Sequence, residues 1–267
     1  VARRYGGGLM PMDFRGAHAA ARAEINAWVV SRTGGLIKDL LPASAVGSDT
    51  KLVLTNAVYF KGDWTEAFDA DHTRPAPFHK ADGTAERVPL MAATRNWRYA
   101  ELEGFQALEL PYNGERLGML VLLPRSPQGL PKLAAALSGK TLAAWAGSLR
   151  EREVRVRFPK FKLETELGLG PAFEALGAKL AFDAARADFS AMTGKSELYI
   201  SAAVHKAFVA VDETGTEAAA ATAVAMAPGA AAMPAPVPEF RADRPFLFFI
   251  RDVRGNVLFM GRYAGPR

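Results

Sequence analysis

What decides the fold is the stretch Glu213-Thr214-Gly215-Thr216-Glu217-Ala218-Ala219-Ala220-Ala221-Thr222-Ala223-Val224-Ala225-Met226. Gly215 lets the backbone pivot. Beyond it, the even positions are Thr216, Ala218, Ala220, Thr222, Val224 and Met226, and the odd ones Glu217, Ala219, Ala221, Ala223 and Ala225. Laid out as a strand, one face grows more apolar while the other stays small or charged. Side chains this small let a strand slip between two existing strands with little steric conflict. Composition alone also fits a flexible alanine/proline linker, and alanine's propensity allows a short helix. The segment 218–238 carries no charge, and a connection of that length is either functional or an unstructured linker.

Strand patterns flank it on both sides. Tyr199 to Val211 reads as a strand leading in. Pro245 to Ile250 and Val257 to Tyr263 read as two buried strands joined by a turn at Arg254-Gly255-Asn256. Further upstream, Leu52 to Phe60 is apolar on both faces, which predicts a central strand. Gln106 to Leu110 and Leu117 to Leu123 flank Asn113-Gly114, a strong hairpin signal. Glu153 to Leu163 alternates Val154, Val156 and Phe158 with Arg155 and Arg157, as a half-buried strand does. Residues 16–30 predict a helix, with Ala21, Ile25, Trp28 and Val29 on one face and Thr33-Gly34-Gly35 ending it. Short helices are predicted over 130–137, 141–149 and 169–176. Strands dominate without βαβ regularity, so the fold class is α+β with mostly antiparallel sheets.

Composition bounds the function. The 267 residues are 49% hydrophobic and 23% charged, enough for a substantial core. The net charge is +5, yet the 33 Lys and Arg are scattered and form no basic arm for nucleic acid. With no cysteine, disulfides, thiolate catalysis and Cys-based metal sites are excluded. A cysteine-free chain suits oxidising and reducing surroundings alike. No apolar run reaches the roughly 18 residues of a membrane span. The N-terminus has no Met and no signal-peptide core, and reads as a start partway through something longer. His18, His72, His79 and His205 lack metal-ligand spacing; His72 and His79 lie in polar surroundings and read as solvated. No G-x-S-x-G, P-loop or dinucleotide signature appears. Asp212, Glu213 and Glu217 form an acidic cluster that reads as a solvated hinge. The expectation is a non-enzyme without metal or cofactor.

Four ordered motifs then resemble one family. His205-Lys206-Ala207 with Val211-Asp212-Glu213-Thr214-Gly215-Thr216-Glu217-Ala218-Ala219 resembles the strand and hinge of serpins. Asn56-Ala57-Val58-Tyr59-Phe60-Lys61-Gly62-Asp63-Trp64 resembles their central-sheet strand and the turn after it. Phe158-Pro159-Lys160-Phe161 is similar to the strand with the Pro-Lys pair. Arg244-Pro245-Phe246-Leu247-Phe248-Phe249-Ile250 with Leu258-Phe259-Met260-Gly261-Arg262 is similar to the C-terminal strand pair. The helix bearing Ile25-Asn26 and Trp28-Val29 fits the one lying across the main sheet. The resemblance runs from Asp13 to Pro266.

It implies a serpin fold: a large, mostly antiparallel central sheet, smaller sheets, surrounding helices and an exposed reactive-centre loop. It implies one domain over 1–267 lacking the family's N-terminal helical region, with the loop at 213–238. It also implies a suicide inhibitor, in which a serine protease cuts the loop, is held as an acyl-enzyme, and the loop enters the main sheet as a strand. Inhibitory members keep a Gly, a Thr or Ser and then small residues, which Gly215, Thr216 and Ala218 to Ala221 match. Glu213 and Glu217 complete the hinge, 213–221. Asn56 and His205 match the shutter, where His205 is expected to hydrogen-bond near Asn56 and gate insertion. Lys160 and Glu213 match an exposed ion pair at the top of the sheet (the breach), with Trp64 packed nearby. The implied partner is the target protease, in covalent complex; the protein is expected as a monomer prone to loop–sheet polymers, without nucleic-acid or membrane partners. Inhibition favours an extracellular or periplasmic setting. The alternatives are a non-inhibitory carrier or chaperone, and an interaction module whose loop is a linker.

Counting the family's spacing from Glu213 places the scissile bond at Gly229–Ala230; counting back from Pro245 gives Pro234, so the loop is longer than usual. Bonds preceding proline are poor substrates, which leaves 229–233, with Ala231 and Ala232 as alternatives. No Lys or Arg lies there, so the target is expected to be elastase-like or subtilisin-like. Mass spectrometry after incubation with elastase is expected to find the cut at Gly229–Ala230 or one bond later; cleavage outside 226–233 would refute the count.

Overall fold

The structure, a computed structural model, describes residues 9–114, 116–215 and 236–266. The chain divides into two compact units, one of residues 1–60 with 163–209 and the other of 61–162 with 210–267.

In the first unit, helix α1 (Phe14–Arg32) starts where Asp13 accepts from the Gly16 N–H at 2.8 Å, an N-cap that satisfies one orphan donor. It ends where the Thr33 hydroxyl donates to the Val29 carbonyl at 2.8 Å and the chain turns through Gly34 and Gly35 at positive φ. Ala21, Ile25 and Val29 are buried as expected, but Trp28 is 38% exposed. Asn26 takes the inner position instead, because its amide both donates to the Leu41 carbonyl and accepts from the Leu41 N–H, at 3.1 and 2.8 Å. Trp28 is left on the outer flank, with the Arg32 guanidinium 6.0 Å from its ring.

Strand β1 (Leu52–Phe60) pairs in parallel with β8 (Ile200–Val211), and β7 (Phe161–Gly168) lies on the other side of β8. The predicted central position of β1 is therefore corrected: among the described residues it is an edge strand, half-buried on both faces. Ile25, Val29, Ile37, Leu40, Leu41 and Val204 form the core beneath α1.

The second unit holds β2 (Arg74–His79), β3 (Ala85–Leu102), β4 (Phe105–Pro111), β5 (Leu117–Pro124), β6 (Arg150–Pro159), β9 (Glu239–Arg241), β10 (Phe246–Asp252) and β11 (Val257–Tyr263). The order is β11-β10-β5-β4-β3-β6-β9, with β2 paired to β3. These pairings are antiparallel except β6–β9. The Asn113-Gly114 hairpin forms as predicted, with Gly114 at φ +83°. β4, β5 and most of β10 are buried on both faces, with Gln106 and Glu109 as polar residues inside β4. One face packs on α2 (Leu130–Ala135) and α3 (Gly139–Gly147) through Leu120, Leu122, Leu130, Leu133 and Phe249.

Two predicted strands change. Glu153 to Leu163 is not one strand: Lys160 separates β6 from β7, its N–H turned to the Pro89 carbonyl at 3.0 Å. β11 is not buried; as the outermost strand it leaves Val257, Leu258 and Met260 exposed. The remaining α-helices among the described residues, α4 (Gly170–Ala175) and α5 (Ser190–Thr193), are six and four residues long.

Phe161 is 6% exposed and lies among four aromatic rings, stacked on Tyr263 at 4.8 Å and near Phe158, Phe246 and Phe248. Phe161→Ala is expected to cost about 3–5 kcal/mol in urea unfolding; a loss under about 1 kcal/mol would show that the cluster collapses around the gap.

Candidate functional site

The residues that end β8 are held by the turn that follows β1. Trp64 is buried, stacked on Tyr112 at 4.5 Å, and its indole Nε1 donates to the Asp212 carbonyl at 3.0 Å. Two backbone bonds repeat the tie: Trp64 N donates to the Thr214 carbonyl at 2.9 Å, and Phe68 N to the Glu213 carbonyl at 2.8 Å. Arg95 braces the turn from beneath, donating to the carbonyls of Glu66 and Ala67 at 2.7 and 2.5 Å. Its guanidinium lies 5.7 Å from the Phe68 ring and 5.6 Å from the Trp97 ring. Nothing in the sequence singled out Arg95, since the carbonyls it satisfies lie 28 and 29 residues away.

Gly215 follows at φ +101°, a conformation that favours glycine. A Cβ there would also press into the Gly62 carbonyl, the Trp64 nitrogen and the Asp63 Cα, the last at 2.6 Å. Two independent reasons thus require glycine here. Asp212 stiffens the approach, its carboxylate accepting from the Thr214 N–H at 3.0 Å and hydroxyl at 2.8 Å.

Glu213 is not solvated: its end of the pair with Lys160 is largely buried, while the Lys160 side chain is 37% exposed. The Glu213 side chain is only 12% exposed, with Lys160 Nζ at 2.6 Å and the Thr73 hydroxyl donating at 2.7 Å. Burial works against the charged form, but the hydrogen bonds from Lys160 and Thr73 outweigh it, so the carboxyl lies below its usual value. An unpaired carboxylate at this depth would be costly. Thr73 was not foreseen, because a threonine 140 residues away in sequence carries no local signal.

In the first unit, Asn56 stands directly opposite His205 in the β1–β8 register. His205 Nδ1 lies 2.8 Å from Asn56 Oδ1, which, with the amide oxygen as acceptor, puts the ring proton on Nδ1. Asn56 is exposed and His205 half-buried, so the pair lies on the open face. The next residue points the other way, as alternation requires. Lys206 is 8% exposed, its ammonium donating to the Lys38 carbonyl at 2.7 Å and meeting Glu164 at 2.6 Å. A lysine inside an apolar strand was the available signal for this buried cation.

The hinge candidates Thr216, Glu217, Ala218, Ala219, Ala220 and Ala221, and the bond candidates Gly229, Ala230, Ala231 and Ala232, lie outside the described residues. His18, His72 and His79 are all exposed. Among the described residues no group of three His, Asp or Glu is arranged to hold a metal ion.

The depressed Glu213 carboxyl fixes the sign of an acid response. Its contribution is fully present above the ordinary glutamate value of 4.5 and is lost as pH falls through the lower folded-state value. The Glu213 contribution to thermal stability, followed by tryptophan fluorescence and taken as the difference from Glu213→Gln, is expected to be flat from pH 7 to pH 5 and to weaken below 4.5. Lys160→Met is expected to cost about 1–3 kcal/mol at pH 7 and to shrink the acid-dependent part; an unaltered pH profile would overturn the assignment.

The Serpin (serine protease inhibitor) family profile matches residues 1–266. An uncharacterised serpin-like protein of Thermococcus kodakarensis is 43% identical over 269 residues, covering 98% of this chain and 61% of that protein. Human leukocyte elastase inhibitor is 41% identical over 275 residues, covering 99% of this chain and 71% of that protein. The crystal structure of uncleaved ovalbumin superposes with a TM-score of 0.88 at 35% identity, covering 100% of this chain and 68% of that one. The chain thus spans about three fifths to seven tenths of the length of these relatives. The α+β architecture, the clamped end of β8 and the profile match over nearly every residue place the chain in the serpin family.

Proposed function

We propose that the protein is a suicide-substrate inhibitor of serine proteases, with residues 1–267 as its serpin domain and 213–238 as the bait loop. The observation that carries this reading is the strand order in the first unit. β1 and β8 are parallel neighbours, and β8 leads directly to a glycine pivot followed by small residues. A chain that turns back after β8 runs antiparallel to it. Entering between β1 and β8, it replaces one parallel ladder with two antiparallel ones, which are slightly more stable per residue. The native state is then held by a kinetic barrier rather than by being the most stable packing.

Asn56 and His205 form the shutter in this scheme: their hydrogen bond crosses the ladder that must open. Lys160, Glu213, Trp64 and Gly215 form the breach and pivot, holding the loop's start until the loop is cut. The protease serine Oγ adds to the Gly229 carbonyl carbon. The Gly229–Ala230 C–N bond breaks, Ala230 leaves as the protonated amine, and an ester links Gly229 to the serine. Insertion before water reaches that ester traps the enzyme. The small residues around the bond favour elastase-like or subtilisin-like enzymes, whose pockets accept small side chains. One relative is by its name an inhibitor of leukocyte elastase, which agrees with this choice.

Incubation with a panel of elastase-, subtilisin- and trypsin-like proteases is expected to yield an SDS-stable complex with the first two classes and not the third. Clean cleavage with no complex, for every protease, would sink the inhibitory reading and favour a carrier role.

A further inference from the structure

The outer face of the second unit's sheet carries a groove of about 450 Å³ walled by His72, Arg74, Arg155 and Arg157, with Ala92 and Thr94 in its floor. The sheet register explains the shape. Ala92 lies opposite Arg157 and Thr94 opposite Arg155, so two small side chains face two long ones. Val154, Val156 and Phe158 point into the core, which turns both arginines outward.

The groove is cationic. Arg74 and Arg155 are exposed, and among the described residues neither guanidinium has a carboxylate partner. Arg74 donates only to the neighbouring Thr73 carbonyl, at 2.9 Å. Arg157 meets Glu239 through its Nε at 3.3 Å, an ion pair without hydrogen-bond geometry. Three guanidiniums therefore line the groove, with Glu239 against one of them and Asp69 3.4 Å from the wall residue His72; Glu153 stands farther along β6. Fixed guanidinium forks match carboxylates in charge and geometry. The compact footprint suits one or two acidic side chains rather than a long polyanion.

Its place in the chain points to the partner. Arg155 N donates to the Pro238 carbonyl at 2.9 Å, and Glu239 pairs opposite Arg155. The groove thus adjoins the point where the chain leaves the bait segment. A bond at Gly229–Ala230 is six or seven residues from Pro236 and so no farther from it than about 25 Å. A protease domain of ordinary size is about 40 Å across, wider than that tether.

We propose that this arginine groove is a second docking contact, receiving an acidic segment of the target protease beside its cleft and speeding encounter. The identity of the partner rests on the inhibitory reading; the chemistry of the groove does not. Two experiments separate them. Fluorescent hexaglutamate is expected to bind the full chain at low salt, and Arg74→Ala/Arg155→Ala to weaken it about tenfold, while the control Arg186→Ala/Arg254→Ala leaves it unchanged. For a protease that forms the covalent complex, the same double variant is expected to slow association and flatten its salt dependence, with the yield of complex unaltered. Equal hexaglutamate binding by all variants, no binding at all, or binding only of a sulfated oligosaccharide overturns the groove while leaving inhibition standing. Variant-sensitive peptide binding with no complex from any protease supports the groove and overturns the inhibitory reading. An unaltered association rate overturns the role in encounter.

Discussion

A single glycine, wedged against the turn after β1, sets how the chain leaves β8. Gly215 combines a left-handed backbone with a contact too close for any Cβ. The residues before it are then fixed by three hydrogen bonds from Trp64 and Phe68. Trp64 can make its bonds because Tyr112 stacks on its ring, and the turn keeps its shape because Arg95 satisfies its carbonyls. The hydrogen-bonding groups of this unusually shaped piece of backbone are thus met by specific partners, which is why it can hold one conformation without belonging to a regular sheet.

Two partly buried charges mark the same stretch of chain. Glu213 meets Lys160 and Thr73; Lys206 meets Glu164 and a backbone carbonyl. Such pairs add little net stability against an apolar alternative, because desolvation offsets much of the attraction. What they do supply is a penalty for misplacement: a shift of one residue along the strand turns each charge to the opposite face and away from its partner. The polar Asn56–His205 pair works alongside them on the open face of its sheet. For a fold whose proposed action is to change strand pairing, register control at the native stage is physically useful.

The two strands whose burial fell short of expectation, β1 and β11, share a cause. Each is an edge among the described residues. An apolar run shows that a strand suits a buried setting, but burial itself is conferred by neighbours. Trp28 differs in kind: helical periodicity put it near the inner stripe, and the amide of Asn26 took that place because it could satisfy both backbone groups of Leu41.

The sequence by itself determined the α+β class, most element positions, the Asn113-Gly114 hairpin and the pairing of Asn56 with His205 and of Lys160 with Glu213. These follow from local periodicity and turn chemistry, or from motifs long enough to mark a family. Only the tertiary structure decided how deep Glu213 lies, that Thr73 and Arg95 complete its surroundings, that Lys206 is buried, and that Arg74 and Arg155 line one groove. The physical reason is the same in each case. Burial and pairing arise between residues far apart in the chain, and a single side chain carries no local trace of what will be folded against it.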